Sequence, residues 1–308
     1  MGYRRDKPIV MKYSASAMNN NLSVQIDLSK NIINYAVIHK SVVNLIGAST
    51  DGSLVHHRQI TCKEPAATMH GGTVVFQARL VNTSGRTILV MTSQKGIQMF
   101  EADMSVMLYW YALCDSSDAA GTSEGSILVF DIPERGSNIT LSQELKAHSH
   151  PVSTLESQDD ILVSSSDNGD IIVWKELSGH IEEVIKISGT GYPCCSLALH
   201  DNMIVAGFGS GHLRVYHQQS GCLLCEADAH SRAVTSIDVA TGSGSVLSGS
   251  EDTFIRVWQL LGSGELVHKH SERVPDLQIQ GAKFIGKDGR AFGCTGYDSN
   301  EIMFYTEV

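Results

Sequence analysis

The chain has 308 residues, a formal net charge of −10, and 42% hydrophobic, 18% charged and 6% aromatic residues. This composition is neither polar enough for a disordered chain nor apolar enough for a membrane protein, and the acidic balance argues against a phosphate backbone as main ligand. A chain of this length buries about three quarters of its unfolded surface, so a core forms without disulfides or metal.

The first ten residues, MGYRRDKPIV, carry basic side chains but not the apolar stretch of a signal peptide, and Asp6 stands where a myristoylation signal has Ser or Thr. No apolar run approaches the roughly 20 residues that cross a bilayer; residues 88–91 are typical of the longest. Seven cysteines, an odd number without a secretory signal, fit reduced thiols, and a cytoplasmic location is expected.

Further along, one phrase recurs: small or polar residues, a turn, three alternating residues, then an aromatic or its stand-in. It occurs as Asp51-Gly52-Ser53-Leu54-Val55-His56-His57, Lys95-Gly96-Ile97-Gln98-Met99-Phe100 and Gly125-Ser126-Ile127-Leu128-Val129-Phe130. The clearest copies end at Trp174, Tyr216 and Trp258, and a last one runs from Asp298 to Tyr305. The end positions are spaced by 43, 30, 44, 42, 42 and 47 residues, close to the period of a four-stranded propeller blade.

Alternation and turn residues divide each period into strands. In the fifth copy these are residues 196–200, 203–207, 212–216 and 222–227; in the sixth, 233–239, 246–250, 254–259 and 265–270. The expected fold is all-β, a seven-bladed β-propeller.

Ring closure needs one more strand. The last copy lacks an outer strand, and residues 22–28 form a surplus apolar stretch ahead of residues 35–39. That stretch is expected to pair into the last blade, making residues 1–308 a single closed domain and removing an exposed edge. The 30-residue interval before Phe130 is too short for a full blade. Residues 106–113 supply an outer strand to the second blade, so the third is expected to lack its inner strand and most of its second. A shortened form of a longer parent, missing a β-rich insert near Ala120, would have this pattern.

The dipeptides Ala147-His148 and Ala229-His230, with the endings Trp174-Lys175, Trp258-Gln259 and Phe130-Asp131, resemble the WD-repeat family, although no literal Trp-Asp occurs. The resemblance implies that His230, Ser248, Asp252 and Trp258 form a buried hydrogen-bonded tetrad, with His148, Ser164 and Trp174 a second set in which Asp167 is one place off register. It further implies a non-catalytic platform without cofactor, docking protein partners on the face that carries the loops leading into the inner strands. His150, Tyr192, Phe208, Arg232, Glu251, Arg273 and Tyr297 are the candidates on that face.

Other motifs have bland readings. Gly121-Thr122-Ser123-Glu124-Gly125 matches a nucleophile elbow, but a strand follows it rather than the required helix. Gly207-Phe208-Gly209-Ser210-Gly211 lacks the Lys and helix of a phosphate loop, and its glycines read as turn residues with positive φ. Cys222-Leu223-Leu224-Cys225 is one CxxC without a second, and the thirteen histidines lack zinc spacing. Tyr109, Trp110 and Tyr111 form an aromatic patch that could mark a contact. The alternatives to a scaffold are a reader of modified short peptides, with Tyr192, Phe208 and Tyr297 as cage, a self-associating adaptor, and a hydrolase using Ser123.

Overall fold

The computed structural model describes residues 2–50, 54–63, 73–112 and 124–308, and among them there is no α-helix. The elbow serine Ser123, the Asp51-Gly52-Ser53 turn and the segment around Ala120 lie outside the described residues. The strands of the described residues form seven sheets, and in all but the last the strands run from inner to outer in chain order.

The fourth sheet comprises Val152–Gln158, Ile161–Ser166, Ile171–Leu177 and His180–Ile187. The fifth holds Cys194–His200, Met203–Phe208, His212–His217 and Leu223–Asp228, and the sixth Val234–Ala240, Ser245–Ser250, Phe254–Leu260 and Leu266–Arg273. These match the alternation in the sequence to within about one turn residue at most ends. The inner strands of these three sheets and of the last are tied in series: Ser153 donates to the Cys194 carbonyl (2.6 Å), the Ile237 amide to Ser196 Oγ (2.8 Å), and Thr235 to the Ile279 carbonyl (2.7 Å). Irregular register recurs at one place, between residues 152 and 154, 194 and 196, 234 and 236, and 279 and 281. A bulge there turns each inner strand and strengthens its twist.

Glycines make the contact between neighbouring sheets. Gly211 has φ +91°, and a Cβ on it would lie 2.1 Å from the His230 carbonyl, which belongs to the loop entering the next sheet. Gly207 and Gly209, expected as further positive-φ turn residues, are not in that region: Gly207 lies in a strand, where a Cβ would meet Val234 at 2.6 Å.

Two expectations are corrected at the N-terminus. Ser23–Asp27 does not pair into the last sheet; it pairs with Ile32–His39 as the inner strand of the first, followed by Val42–Ser49 and the outer strand Val55–Thr61. The phrase ending at His57 therefore joins a third strand to an outer one, and the copy was placed one strand late. The surplus strand is further upstream. Tyr3–Arg5 pairs with Glu301–Glu307, and Ile9–Val10 pairs with the same strand beyond it, so both share the outer position of the last sheet, whose other strands are Ala291–Gly296 and Ile279–Phe284.

The second sheet is complete, with Val75–Asn82, Thr87–Ser93, Gly96–Glu101 and Met107–Ala112. The third has two strands among the described residues, Ser126–Asp131 and Thr140–Lys146, in the third and outer positions of the repeat. Tyr109 and Tyr111 of the second sheet lie edge-on to Phe130 of the third at 5.7 and 5.9 Å. The aromatic patch is thus half-buried packing between sheets.

Candidate interaction faces

The tetrad fixes the geometry of the face where the inner strands begin. In the sixth sheet, the Trp258 indole N–H donates to Ser248 Oγ (3.0 Å), Ser248 lies 2.8 Å from His230 Nε2, and His230 Nδ1 lies 3.0 Å from Asp252. Burial holds the His230 imidazole below its ordinary value despite the raising effect of Asp252, which keeps it neutral. A neutral ring orders the chain in one direction: Nδ1–H donates to Asp252, and Nε2 accepts the Ser248 hydroxyl proton. Burial raises the Asp252 carboxyl, but hydrogen bonds from His230 and from the Phe254 and Ser231 amides outweigh it and leave the group well below the usual carboxylate range. The loop holding His230 and Ser231 is thereby clamped to the turn between the second and third strands.

The fourth sheet has the same chain without its acid. Trp174 donates to Ser164 (2.9 Å), and Ser164 lies 2.8 Å from His148 Nε2, but His148 Nδ1 is buried without a partner. Asp167 does not complete the set, because it is exposed; Asn168 occupies the place of Asp252 and turns its Oδ1 to Ser166 and the Asp170 amide. Burial lowers the His148 imidazole to about 4.

Around this clamped face, His150, Arg232 and Arg273 are exposed, as are Tyr192 and Tyr297 at 55% and 51%, while Glu251 is half-buried. They come from loops of the fourth to the last sheets. Phe208 is a correction: at 1% exposure it belongs to the core, because the end of its strand turns the ring between sheets, where the Arg214 guanidinium lies 4.7 Å above it. It cannot form a cage with Tyr192 and Tyr297.

The centre of the same face holds residues that the sequence reading missed. From Met11 to Leu22 the chain crosses the last and first sheets, with the Met11 amide on the Asn300 carbonyl (2.7 Å), the Ser16 amide on the Ile38 carbonyl (2.9 Å), and Ala15 bridged to Tyr297. Asn20, with φ 56°, then joins the fifth and sixth sheets. Its amide donates to the Thr235 carbonyl (2.9 Å), its Nδ2 to the Cys195 carbonyl (3.1 Å), and its Oδ1 accepts from Ser196 (2.7 Å). Asn21 binds both backbone groups of Ile38 and donates its amide to the Gln280 carbonyl (3.0 Å), while its own carbonyl accepts from Thr295 (2.8 Å). Thr235, Cys195, Ser196 and Gln280 stand at the starts of inner strands, and Ile38 and Thr295 at the ends of second strands beside them, so the segment straps the mouth of the central channel. The only sequence signal was three consecutive asparagines ahead of an apolar strand.

Among the described residues no group of three or more His, Cys, Asp or Glu is placed to hold a metal ion, and no helix is long and apolar enough to cross a membrane. Cys222 and Cys225 are free thiols.

The fold is shared with solved WD40 propellers. A chain of the structure described as "Crystal Structure of Mitotic Checkpoint Complex" superposes with a TM-score of 0.75 at 15% identity, covering 99% of this chain and 96% of the other. The structure of U3-55K gives 0.72 at 15% identity, over 99% and 98% of the two chains. Sequence similarity is closer to WD repeat-containing protein 54. The Mus musculus protein is 35% identical and the Homo sapiens protein 34% identical over 337 aligned positions, covering 99% of this chain and 100% of each relative. The profile of the WDR54 family matches residues 2–123 and 119–308, two pieces that overlap at residues 119–123. The chain belongs to the WDR54 family of WD-repeat β-propellers.

Proposed function

We propose that this chain is a non-catalytic platform for protein partners, acting as one ring of residues 1–308 in a reducing, cytoplasmic setting. The observation that carries the reading is the exposed rim formed by Tyr192, Arg232 and Tyr297 on loops and Arg273 at a strand end, spread over the fourth to the last sheets. Hydrogen-bonded clamps hold those loops before any partner arrives, so little conformational entropy remains to be lost on docking. Kinship with WD40 propellers, commonly non-enzymatic scaffolds, supports the same reading.

Two alternatives lose their footing. A peptide reader needs an open channel mouth or converging rings, but Asn20 and Asn21 fill the mouth and Phe208 is buried. Self-association through the aromatic strand needs a free face, whereas Tyr109 and Tyr111 pack on Phe130.

Proximity labelling in cells tests the platform. Arg232→Glu and Tyr192→Ala remove one charge and one ring from the rim without touching the core, and each should deplete a common subset of labelled proteins. An unchanged set with both variants would remove the rim from consideration.

A further inference from the structure

The opposite face carries a cleft between the fourth and fifth sheets, of about 400 Å³. Its construction follows from the repeat. In these two sheets the inner and second strands are joined by a two-residue turn, residues 159–160 in the fourth and 201–202 in the fifth, and the first residue of each turn has positive φ (53° at Asp159, 51° at Asp201). Asp tolerates that conformation better than most side chains, and one consequence is that adjacent blades both present carboxylates at one rim. The Gln218 amide donates to the Asn202 carbonyl (2.7 Å), which locks the fifth sheet's next turn beside them.

The interior of the cleft is a mixture. Val184 and Ile185 form an apolar wall. Gln218 lines it while only 8% exposed, and its carboxamide has no hydrogen-bond partner. Gln158 Oε1 is likewise buried without a partner. A polar atom buried without a partner, as Gln158 Oε1 is, costs free energy that a donor can recover, and together with the Gln218 carboxamide, free to bond a ligand, it points to an occupant and not to the turns' own stability. Of the rim charges, Lys175 pairs with Asp160 at 3.3 Å, and Asp201 has only His200 at 3.5 Å. The unbalanced sign is negative.

We infer that this cleft receives an arginine side chain of a protein partner. The apolar wall suits the aliphatic stem, and the two rim carboxylates with the unpaired amide oxygens below them suit a fork of five N–H donors. A lysine, with one compact ammonium, would leave part of that acceptor set unused. The chain's net charge of −10 steers a basic segment toward it. The site is independent of the rim described above, since it lies on the other face.

Fluorescence anisotropy tests the assignment with the full chain and dye-labelled Gly/Ser peptides carrying two arginines, two lysines or two citrullines. The arginine peptide should bind, and the citrulline peptide about tenfold or more weaker, the loss of one charge-assisted hydrogen bond. Asn202 is exposed at the rim, so its variants spare the fold: Asn202→Asp should tighten arginine binding and Asn202→Lys weaken it. Gln218→Leu should weaken it as well, with thermal melts confirming that the variant is folded. Tyr192→Ala and Arg232→Glu should leave it unchanged, which separates failure here from failure of the rim. No binding of the arginine peptide, equal binding of lysine or citrulline, or indifference to both Asn202 substitutions would overturn the proposal.

Discussion

Arg79 and Glu156 form an ion pair of 3.6 Å between the inner strands of the second and fourth sheets. In a regular ring a third inner strand would stand between them. At the equivalent level of complete neighbouring sheets, Asp238 pairs with Lys283 of the very next sheet at 2.8 Å. Among the described residues the third sheet has no inner strand there, and the longer arginine spans the interval. The alignment with the mouse relative spans 337 positions against 308 residues here, and the family profile breaks at residues 119–123. A version given the relative's additional residues at that break should melt at higher temperature and with calorimetric and van't Hoff enthalpies closer to equal, because each blade is stabilised by its neighbours. Differential scanning calorimetry of both forms decides; equal melting and equal cooperativity would show that the short blade costs nothing.

Ser248 is the joint of the complete tetrad, accepting from Trp258 and bonding His230. Ser248→Ala leaves two buried polar groups unpaired at about 1–3 kcal/mol each, a loss on the order of 5–10 °C in Tm. Ser263→Ala, at an exposed turn, is the matched control and should change stability by less than about 0.5 kcal/mol.

The incomplete set in the fourth sheet makes stability depend on pH. His148 has an ordinary value of 6.5 when unfolded and about 4 when folded, so the folded state disfavours its proton. Its contribution is fully present above pH 6.5 and is lost as pH falls toward 4. Asn168→Asp places a carboxylate where Asp252 stands in the sixth sheet. The His148 value should rise, measurable by NMR titration of the ring, and the decline in Tm between pH 6.5 and 4 should flatten.

Much of this architecture could be read from the residues alone, where one strand face is apolar and the other polar. In the fifth and sixth sheets, Leu213, Val215, Ile255 and Val257 alternate with more exposed neighbours, and turns rich in Gly, Asp and Asn bound each run. In the first sheet the repeat phrase falls one strand late because a sequence such as Asp51-Gly52-Ser53 reads alike whichever two strands it stands between. Tyr3–Arg5 gave no strand signal at all: two of its three residues are exposed arginines, and backbone pairing to Glu301–Glu307 makes it a strand. Phe208 was misjudged since a residue at a strand end can turn either outward or between sheets. Asn20 was invisible because its partners lie 175 residues away at Cys195.

Asn20→Ala tests the strap. It removes the bonds to Cys195 and Ser196 and forces alanine into the left-handed region, together about 2–4 kcal/mol. The Tm should fall by roughly 5–10 °C, and proteolysis should find new cuts between residues 11 and 22 while the fourth to sixth sheets resist. Wild-type resistance at those sites would mean that other contacts suffice to hold the segment.

The last sheet also sets an order of events during synthesis. Arg5 meets Glu301 across a separation of 296 residues, so the outer strand of that sheet leaves the ribosome long before the strand it pairs with. At about 5–20 residues per second, it waits on the order of tens of seconds for the strand it must zip onto. Throughout that interval the nascent ring is open, with Ser23–Asp27 and its sheet unshielded on one side. Factors that hold unfinished chains would find this protein at its most receptive then, and a bulky tag ahead of Tyr3 would hinder the final step more than the same tag grafted onto an outer turn.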